Sequence, residues 1–191
     1  IYELDVPVMV GGVAGYTQAK HLMRTGAAGV LVGFGGGSAM TTRKGLGISA
    51  PMATAIADVA AARSDYLDES GGRYVHVIAD GGLSRSGDLV KALALGADAV
   101  MIGAPLARAS EAPGQGWYWG NEAHSVDFPR GVRTPLGVVG TLEEVLYGPS
   151  HHVDGTRNIV GALKRAMATC GYLDLKKFQK AEMTLVPEYR G

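Results

Sequence analysis

The residues with the clearest capacity for chemistry lie in a glycine-rich loop at positions 33–43. The loop reads Gly-Phe-Gly-Gly-Gly-Ser-Ala-Met-Thr-Thr-Arg. Its glycines leave the backbone free to turn, and Ser38 adds a hydroxyl that donates hydrogen bonds. Met40 carries a thioether, which has no ionisable proton and so cannot supply the thiolate that a cysteine nucleophile supplies. The loop therefore favours binding and offers no nucleophile at position 40.

A carboxylate and two glycine turns form the second group of candidates. Asp80 ends an apolar run and precedes Gly81 and Gly82, and Gly103 closes the next apolar run. A carboxylate accepts two hydroxyl hydrogens well, which suits a ribose diol; a turn or helix-capping aspartate is the alternative. Glycine turns before helices direct backbone N–H groups toward an anion. With Ser38, they predict a phosphate cradle.

These groups belong to a repeated unit. The sequence aligns on itself without gaps at an offset of 70, so that 8–33 matches 78–103. Each copy contains an apolar run, a Gly-Gly turn, an amphipathic helical stretch and a second apolar run closed by glycine. The runs lack polar alternation, as parallel strands covered on both faces do. The helices are predicted at 17–25, 51–63, 86–95 and 158–168.

Four strands with crossover helices predict an α/β fold built from consecutive units of a (βα)₈ TIM barrel. A whole barrel takes about 250 residues, so we expect the chain to form the C-terminal half. Residues 1–110 would form the barrel units. Residues 111–155, where the periodic pattern dissolves, would form a flap or finger over the site, and 156–191 a C-terminal helix and tail of the same catalytic domain.

The composition excludes several kinds of partner. The chain has 191 residues, with 18 Lys and Arg against 18 Asp and Glu. This balance provides no positive electrostatic field that would attract nucleic acid or an anionic membrane. No signal segment or membrane-spanning run is present, and Cys170 is the only cysteine. We therefore expect a soluble, cytoplasmic protein. His151 and His152 are adjacent and would diverge, so a shared metal is not predicted.

The loop at 33–43 and the stretch at 78–103 together resemble the IMP dehydrogenase and GMP reductase family. The second stretch reads Ile-Ala-Asp-Gly-Gly-Leu-Ser-Arg-Ser-Gly-Asp-Leu-Val-Lys-Ala-Leu-Ala-Leu-Gly-Ala-Asp-Ala-Val-Met-Ile-Gly. Further details, such as Gly-Pro-Ser-His at 148–151, look closest to divergent IMP dehydrogenase-related proteins of some bacteria. In the family the loop is Gly-x-Gly-x-Gly-Ser-x-Cys-Thr-Thr-Arg, whose cysteine attacks C2 of the purine. Met40 stands in its place.

The resemblance implies a role for each substrate-binding candidate. Ser38, Gly82 and Gly103 would contact the phosphate of IMP, with Gly81 in the same turn. Asp80 would bind the ribose hydroxyls. The purine nucleotide, IMP or GMP, is thus the implied ligand.

The resemblance also implies catalytic and cation-binding groups. The carbonyls of Gly35, Gly37 and Met40 would ligate a potassium ion. Thr42 would assist proton transfer, and Arg130, in a Pro-Arg-Gly sequence, is the candidate for the family's water-activating arginine. NAD or NADP is the implied cofactor, and a homo-oligomer, a tetramer in the family, the implied assembly.

Three functions remain open on this basis. The first is a purine nucleotide oxidoreductase, converting IMP to XMP with NAD or GMP to IMP with NADPH. The second is a catalytically silent nucleotide-binding or regulatory paralogue, which Met40 favours. The third is another barrel enzyme that uses the cradle for a different sugar phosphate. Ala104 is a further departure, because the family usually has a phosphate-binding serine there.

Overall fold

The computed structural model describes residues 5–120 and 133–184. Its first part alternates parallel strands with helices, and the sheet order β1-β2-β3-β4 follows the order of the chain. Sequential parallel neighbours joined by helices are the arrangement of successive barrel units, as predicted. The elements are β1 (Met9–Val13), α1 (Tyr16–Arg24), β2 (Gly29–Val32), α2 (Thr42–Leu46), α3 (Met52–Glu69), β3 (His76–Asp80), α4 (Ser86–Ala94), β4 (Ala99–Met101) and α5 (Ala104–Ala107).

The second part of the chain contains shorter elements. They are β5 (Trp117–Trp119), β6 (Arg133–Pro135), α6 (Leu142–Leu146), α7 (Ile159–Thr169) and α8 (Leu175–Phe178). β5 and β6 pair antiparallel, with Tyr118 opposite Thr134. The segment predicted as a flap or finger therefore contains a strand pair and a capped helix. Thr141 and Glu144 form a capping box at the start of α6, which explains why a helix begins there.

One face of the parallel sheet packs against α1, α3 and α4 and forms the core. Val30 of β2 and Val77 of β3 are fully buried there. The same hydrophobic cluster contains Met23 of α1, Val59 of α3 and Leu89 of α4. Branched side chains on the strands suit this pleated, covered surface. The helices thus fix the strands from one side and leave the other side for the site.

The opposite face of the sheet is the face that points to the axis of a barrel. Asp80 and its partner Met101 lie on this face, at paired positions of β3 and β4. Met9 of β1 and Met101 are 58% and 47% exposed. Within residues 5–120 and 133–184 the strands form an open sheet and not a closed barrel.

The structure corrects the prediction of a Gly-Gly turn at the end of the first strand. Gly11 and Gly12 lie inside β1, which begins at Met9 and continues to Val13. A Cβ on Gly11 would lie 2.5 Å from Cβ of Leu31, and one on Gly12 would overlap the carbonyl oxygen of Gly33. The two glycines therefore allow β1 and β2 to approach closely. An alignment of the repeats cannot distinguish glycines with this role from glycines that form a turn.

Helix α3 is longer than the predicted 51–63, since it continues to Glu69. Its last turns bury Tyr66, which is 6% exposed. Arg24 of α1 donates to Glu69 at 2.7 and 2.8 Å, and Lys20 lies 3.1 Å from the same carboxylate. Those hydrogen bonds from Arg24 and Lys20 lower the pKa of Glu69 to about 2. Tertiary contacts with α1 thus extend a helix whose alanine-rich pattern ends earlier.

A buried carboxylate ties the last helix to the sheet at the amino-terminal ends of β3 and β4. Asp98 lies one residue before β4, and its side chain is 8% exposed. Burial raises the pKa of Asp98, but hydrogen bonds more than offset this effect and hold it well below the usual range. Its donors are Arg63 (2.8 Å), Tyr74 (2.6 Å), the N–H of Val77 (2.9 Å), Lys176 of α8 (2.5 Å) and Gln179 (3.1 Å).

No helix among the described residues has the length and apolarity needed to cross a membrane.

Candidate functional site

The glycine-rich loop leaves the end of β2 and lies against the turn that follows β3. Gly33 has φ +118°, and a Cβ there would overlap the carbonyl oxygen of Asp80. Gly36 lies so close to the neighbouring turn that a Cβ would be 3.1 Å from the nitrogen of Gly82 and 3.2 Å from the carbonyl carbon of Gly81. Side chains at these positions would push the loop and the turn apart. The glycines therefore bring two backbone segments together at the carboxyl ends of the strands.

Asp80 occupies the last position of β3, next to that contact. No hydrogen bond or ion pair joins its carboxylate to another described residue. Burial raises its pKa above the ordinary value, because nothing nearby compensates for the lost solvation of the charge. A half-buried acceptor without a partner is suited to hydroxyl groups of a ligand. Asp80 is thus in position to receive a diol.

The loop and the turns enclose a cavity of about 370 Å³. This volume lies at the small end of the range for ligand sites and suits one mononucleotide. No Lys, Arg or His belongs to its lining among the residues that the structure describes, so an anion here would be held by neutral donors. The lining consists of Gly33, Phe34, Gly35, Gly36, Gly37, Ser38, Met40, Asp80, Gly81, Gly82, Leu83, Ser84, Met101, Ile102, Gly103, Ala104 and Tyr118.

Met40 lines the cavity and is 40% exposed. Its backbone N–H donates to the carbonyl of Gly37 at 3.1 Å. A Cβ on Gly37 would lie 2.8 Å from Cγ of Met40, so the absence of a side chain at 37 makes room for the methionine stem. The side chain at position 40 is therefore presented to whatever occupies the cavity.

Eight of the ten predicted site residues line this one cavity; their roles stay predictions. They are Gly35, Gly37, Ser38, Met40, Asp80, Gly81, Gly82 and Gly103. Thr42 is not among the lining residues, because it begins α2 after the loop has left the cavity. Arg130 lies outside the described residues. The exposed thiol of Cys170 follows α7 and does not line the cavity either.

The predicted potassium site has suitable donor chemistry, since potassium prefers oxygen ligands and Gly35, Gly37 and Met40 offer carbonyls. One of the three carbonyls, that of Gly37, already accepts the N–H of Met40. A carbonyl oxygen has a second lone pair, so this hydrogen bond does not prevent it from binding a cation, and the ion stays a prediction. No group of three His, Cys, Asp or Glu residues in the described parts of the chain could hold a metal.

Tyr118 and Ser84 also line the cavity, and neither was predicted from the sequence. Ser84 follows the Gly81-Gly82 turn, so its position near the cavity could have been predicted from the sequence. Tyr118 lies in β5, far along the chain from the other lining residues. The only signal for it was an aromatic cluster between glycines in the segment predicted to cover the site.

The fold and the site together define a class: a segment of a (βα)₈-type barrel with a mononucleotide-sized cavity at the carboxyl ends of its strands, where such barrels bind substrates. The chain belongs to the IMP dehydrogenase / GMP reductase family, since the model of the IMP dehydrogenase / GMP reductase domain matches residues 2–132.

Individual relatives agree with this assignment. An uncharacterized oxidoreductase of Mycolicibacterium smegmatis is 58% identical over 188 residues, covering 97% of this chain and 50% of that protein. An inosine-5′-monophosphate dehydrogenase of Aquifex aeolicus is 33% identical over 202 residues, covering 92% of this chain and 38% of the relative. The chain thus spans about half the length, or less, of these relatives.

A solved structure shares the fold. The IMP dehydrogenase/GMP reductase-like protein from Corynebacterium glutamicum is 57% identical and superposes with a TM-score of 0.87, covering 95% of this chain and 48% of that one. The prediction of a partial barrel related to divergent bacterial members of the family is therefore confirmed.

Proposed function

We propose that the cavity binds a purine nucleoside 5′-monophosphate, and that the protein is an IMP dehydrogenase-like member of its family in which Met40 disables the covalent redox step. The observation that carries the proposal is the convergence of Ser38, Asp80 and Gly103 on one cavity that also contains Met40. Neutral donors and backbone groups would hold the phosphate. The Asp80 carboxylate would accept the ribose hydroxyls.

The chemistry at position 40 supports the second part of the proposal. A thiolate attacks carbon because it carries a lone pair and a negative charge, and a thioether loses neither a proton nor its methyl group in such a reaction. Losing the nucleophile of a concerted site can lower turnover by a factor on the order of 10⁶. Met40 would instead pack against the bound base, since its flexible, polarisable side chain suits contact with a ring.

A nicotinamide cofactor would bind outside this cavity. A volume of about 370 Å³ suits one mononucleotide, so a nicotinamide dinucleotide would have to bind beside it. NAD or NADP, like the homo-oligomer, is therefore part of the proposal by family membership alone. In an active oxidoreductase, NAD would accept a hydride or NADPH would supply one.

An active oxidoreductase is the second candidate, and the oxidoreductase names of the M. smegmatis and A. aeolicus relatives favour it. It would convert IMP to XMP with NAD, or GMP to IMP with NADPH. In this case the site would have to activate the purine without a thiolate. The two candidates share the ligand and differ in turnover, so the activity of the unmodified protein separates them.

Replacing Met40 with cysteine should create or raise dehydrogenase activity. The thiol would face the cavity where Met40 is 40% exposed, and a thiolate fraction would then be available for attack. Absorbance of the reduced nicotinamide, followed with IMP and NAD and separately with GMP and NADPH, measures the reaction. The unmodified protein should give no turnover above background.

Met183→Cys is a matched control, because Met183 is 44% exposed but lies outside the cavity. It should gain nothing. Turnover by the unmodified protein at the rate of a cysteine-containing family member would contradict the silent-site proposal and establish the second candidate. Binding without any gain in Met40→Cys would mean that more than the nucleophile has been lost.

A further inference from the structure

A groove lies between α3 and α4, outside the cavity of the candidate site. Its volume is about 540 Å³, and most of its lining is apolar. We call it the α3–α4 groove, and its apolar side chains are those of Met52, Ile56, Ala57, Leu83, Ala92 and Leu95. A contiguous apolar surface of this kind marks a place where another group binds.

The described part of the chain ends in this groove. Met183 and Thr184 are the last two described residues, and both line the groove. The segment before them is held at α8, where Phe178 is 2% exposed and Gln179 donates to the carbonyl of Ala97 at 2.7 Å. The chain therefore enters the groove from an anchored point.

The residues that follow Thr184 have the length and the apolar side chains that the groove requires. They are 185–191, which lie outside the described residues and read Leu-Val-Pro-Glu-Tyr-Arg-Gly. Seven extended residues span roughly 23 Å, at about 3.3 Å per residue. The α3 wall of the groove, at 52–58, is about 10 Å long at a helical rise of about 1.5 Å per residue. The segment can therefore cross the groove, beginning with Leu185 and Val186.

Charged side chains lie at the edge of the groove. Lys91 of α4 lies with Nζ 3.7 Å from Oδ1 of Asp88, and Asp58 of α3 is a further charged lining residue. Glu188 and Arg190 carry charges complementary to these groups. Because the Lys91 side chain is 66% exposed, such pairs would set the register of the segment, and apolar burial would supply most of its binding.

The α3–α4 groove shares a wall with the cavity of the candidate site. Gly82 and Leu83, in the turn after β3, line both. Leu83 is 8% exposed, so its side chain is already packed against its neighbours. A segment in the groove would therefore support this turn from the side opposite the ligand.

From these observations we propose that residues 185–191 occupy the α3–α4 groove, with Leu185 and Val186 between the two helices, and thereby support the turn at Gly82 and Leu83. The segment is covalently attached, so its effective concentration at the groove is on the order of millimolar, and modest apolar contacts suffice to hold it. The docking does not depend on the nature of the ligand. Its effect on nucleotide binding rests on the proposed function.

Thiol labelling measures whether the groove is covered. Ala57 lines the groove, whereas Ala61, one turn further along α3, does not, and both are exposed in the described part of the chain. Each is replaced by cysteine in a Cys170→Ala background, because Cys170 is itself exposed. Ala57→Cys should react with iodoacetamide at least about 10-fold more slowly than Ala61→Cys, because a segment docked in more than about 90% of molecules leaves less than a tenth open to attack.

A double substitution in the segment tests whether the segment is what protects Ala57→Cys. Leu185→Asp combined with Val186→Asp should raise the labelling rate to that of Ala61→Cys, because burying two carboxylates without partners is unfavourable. Leu173→Asp is the matched control, since Leu173 is 95% exposed and lies outside the groove. It should leave the protection unchanged.

Two labelling results would overturn the inference. The first is an equal rate for Ala57→Cys and Ala61→Cys in the otherwise unmodified chain. The second is protection of Ala57→Cys that persists in the double aspartate variant, because a different group would then cover the groove. Protection that disappears on dilution would assign the groove to a second copy and overturn the inference as well.

Calorimetric titration with IMP tests the support of the turn. The double aspartate variant should bind IMP about 3-fold to 30-fold more weakly than the unmodified protein, the usual range for coupling through a packed contact. Unchanged affinity would show that the docked segment does not support the site. If the unmodified protein binds no IMP, the proposed function fails, while the labelling result still decides whether the segment docks.

Discussion

Replacing Asp98 with alanine should lower the free energy of unfolding by about 3–5 kcal/mol, the usual cost of removing one partner from a buried ion pair. The Asp98 side chain is 8% exposed, and the side chain of Arg63 beside it is 13% exposed. Alanine would leave the Arg63 guanidinium without its carboxylate partner, with only the Tyr74 hydroxyl still accepting from it, and would remove the side-chain acceptor of the Val77 N–H. It would also release Lys176, which is one of the contacts that hold α8, while Gln179 would keep its hydrogen bond to the carbonyl of Ala97. Denaturant unfolding followed by circular dichroism measures the change.

Two lysines provide a control for the Asp98 prediction. Lys176 and Lys177 are adjacent and exposed, but Lys176 pairs with Asp98 whereas Lys177 pairs with Asp174 on the surface. Lys177→Ala should change stability by less than about 1 kcal/mol. Lys176→Ala should cost more than this control and less than Asp98→Ala, because Arg63 would still satisfy the carboxylate. A loss below about 1 kcal/mol in Asp98→Ala would contradict the stabilising role predicted for Asp98.

The pH dependence of the same variant follows from the direction of the pKa shift. Since the folded-state pKa of Asp98 is lowered, its stabilising contribution is fully present above the unfolded-state value of about 3.9 and declines as the pH falls below it. The stability gap between the unmodified protein and Asp98→Ala should therefore stay constant from neutral pH to about pH 5 and narrow at lower pH. The imidazole of His76 also faces this carboxylate, with Nδ1 4.0 Å from Oδ2 of Asp98.

Replacing Asp80 with alanine should weaken IMP binding by a factor on the order of 100 to 1000, because two hydrogen bonds from ribose hydroxyls to a charged acceptor would be lost. Folding should be little affected, since the Asp80 carboxylate has no hydrogen bond or ion pair with another described residue. Burial without a partner raises the pKa of Asp80, so its removal should not destabilise the fold. Calorimetric titration measures the affinity.

A ligand-side control isolates the ribose contact of Asp80. The 2′,3′-dideoxy form of the nucleotide lacks both hydroxyls and should bind the unmodified protein and Asp80→Ala equally. Asp68→Asn serves as the protein-side control, because Asp68 is an exposed carboxylate near the end of α3 and far from the cavity lining. If Asp80→Ala weakened the dideoxy nucleotide as much as IMP, the diol assignment would be wrong.

Much of the fold was predictable because it depends on local patterns. Apolar runs separated by helical stretches predicted four parallel strands, and the glycines after β2 and β3 indicated where the site lies. The use of Gly11 and Gly12 was not predictable, since a glycine that permits close strand contact and a glycine that makes a turn look alike in sequence. The extra turns of α3 depend on Glu69 reaching α1, which is a tertiary contact.

The candidate site was predictable where its groups lie next to strand ends. Ser38, Asp80 and Gly103 each follow a recognisable apolar run, so parallel strands bring them to one edge. Tyr118 comes instead from an antiparallel pair with no repeat counterpart, and its approach to Gly103 depends on how that pair is placed. The hydrogen-bond donors to Asp98 likewise come from elements far apart in the sequence, so no spacing in the sequence predicts them.

The proposed binding of a purine nucleoside monophosphate in the cavity between the glycine-rich loop and Asp80 can be measured by isothermal titration of the purified protein. IMP and GMP are titrated, with inosine and ribose 5-phosphate in parallel. We expect one nucleotide bound per chain, with a dissociation constant in the micromolar range for IMP or GMP and weaker binding of both partial ligands. No binding of either nucleotide at concentrations of about 1 mM would contradict it.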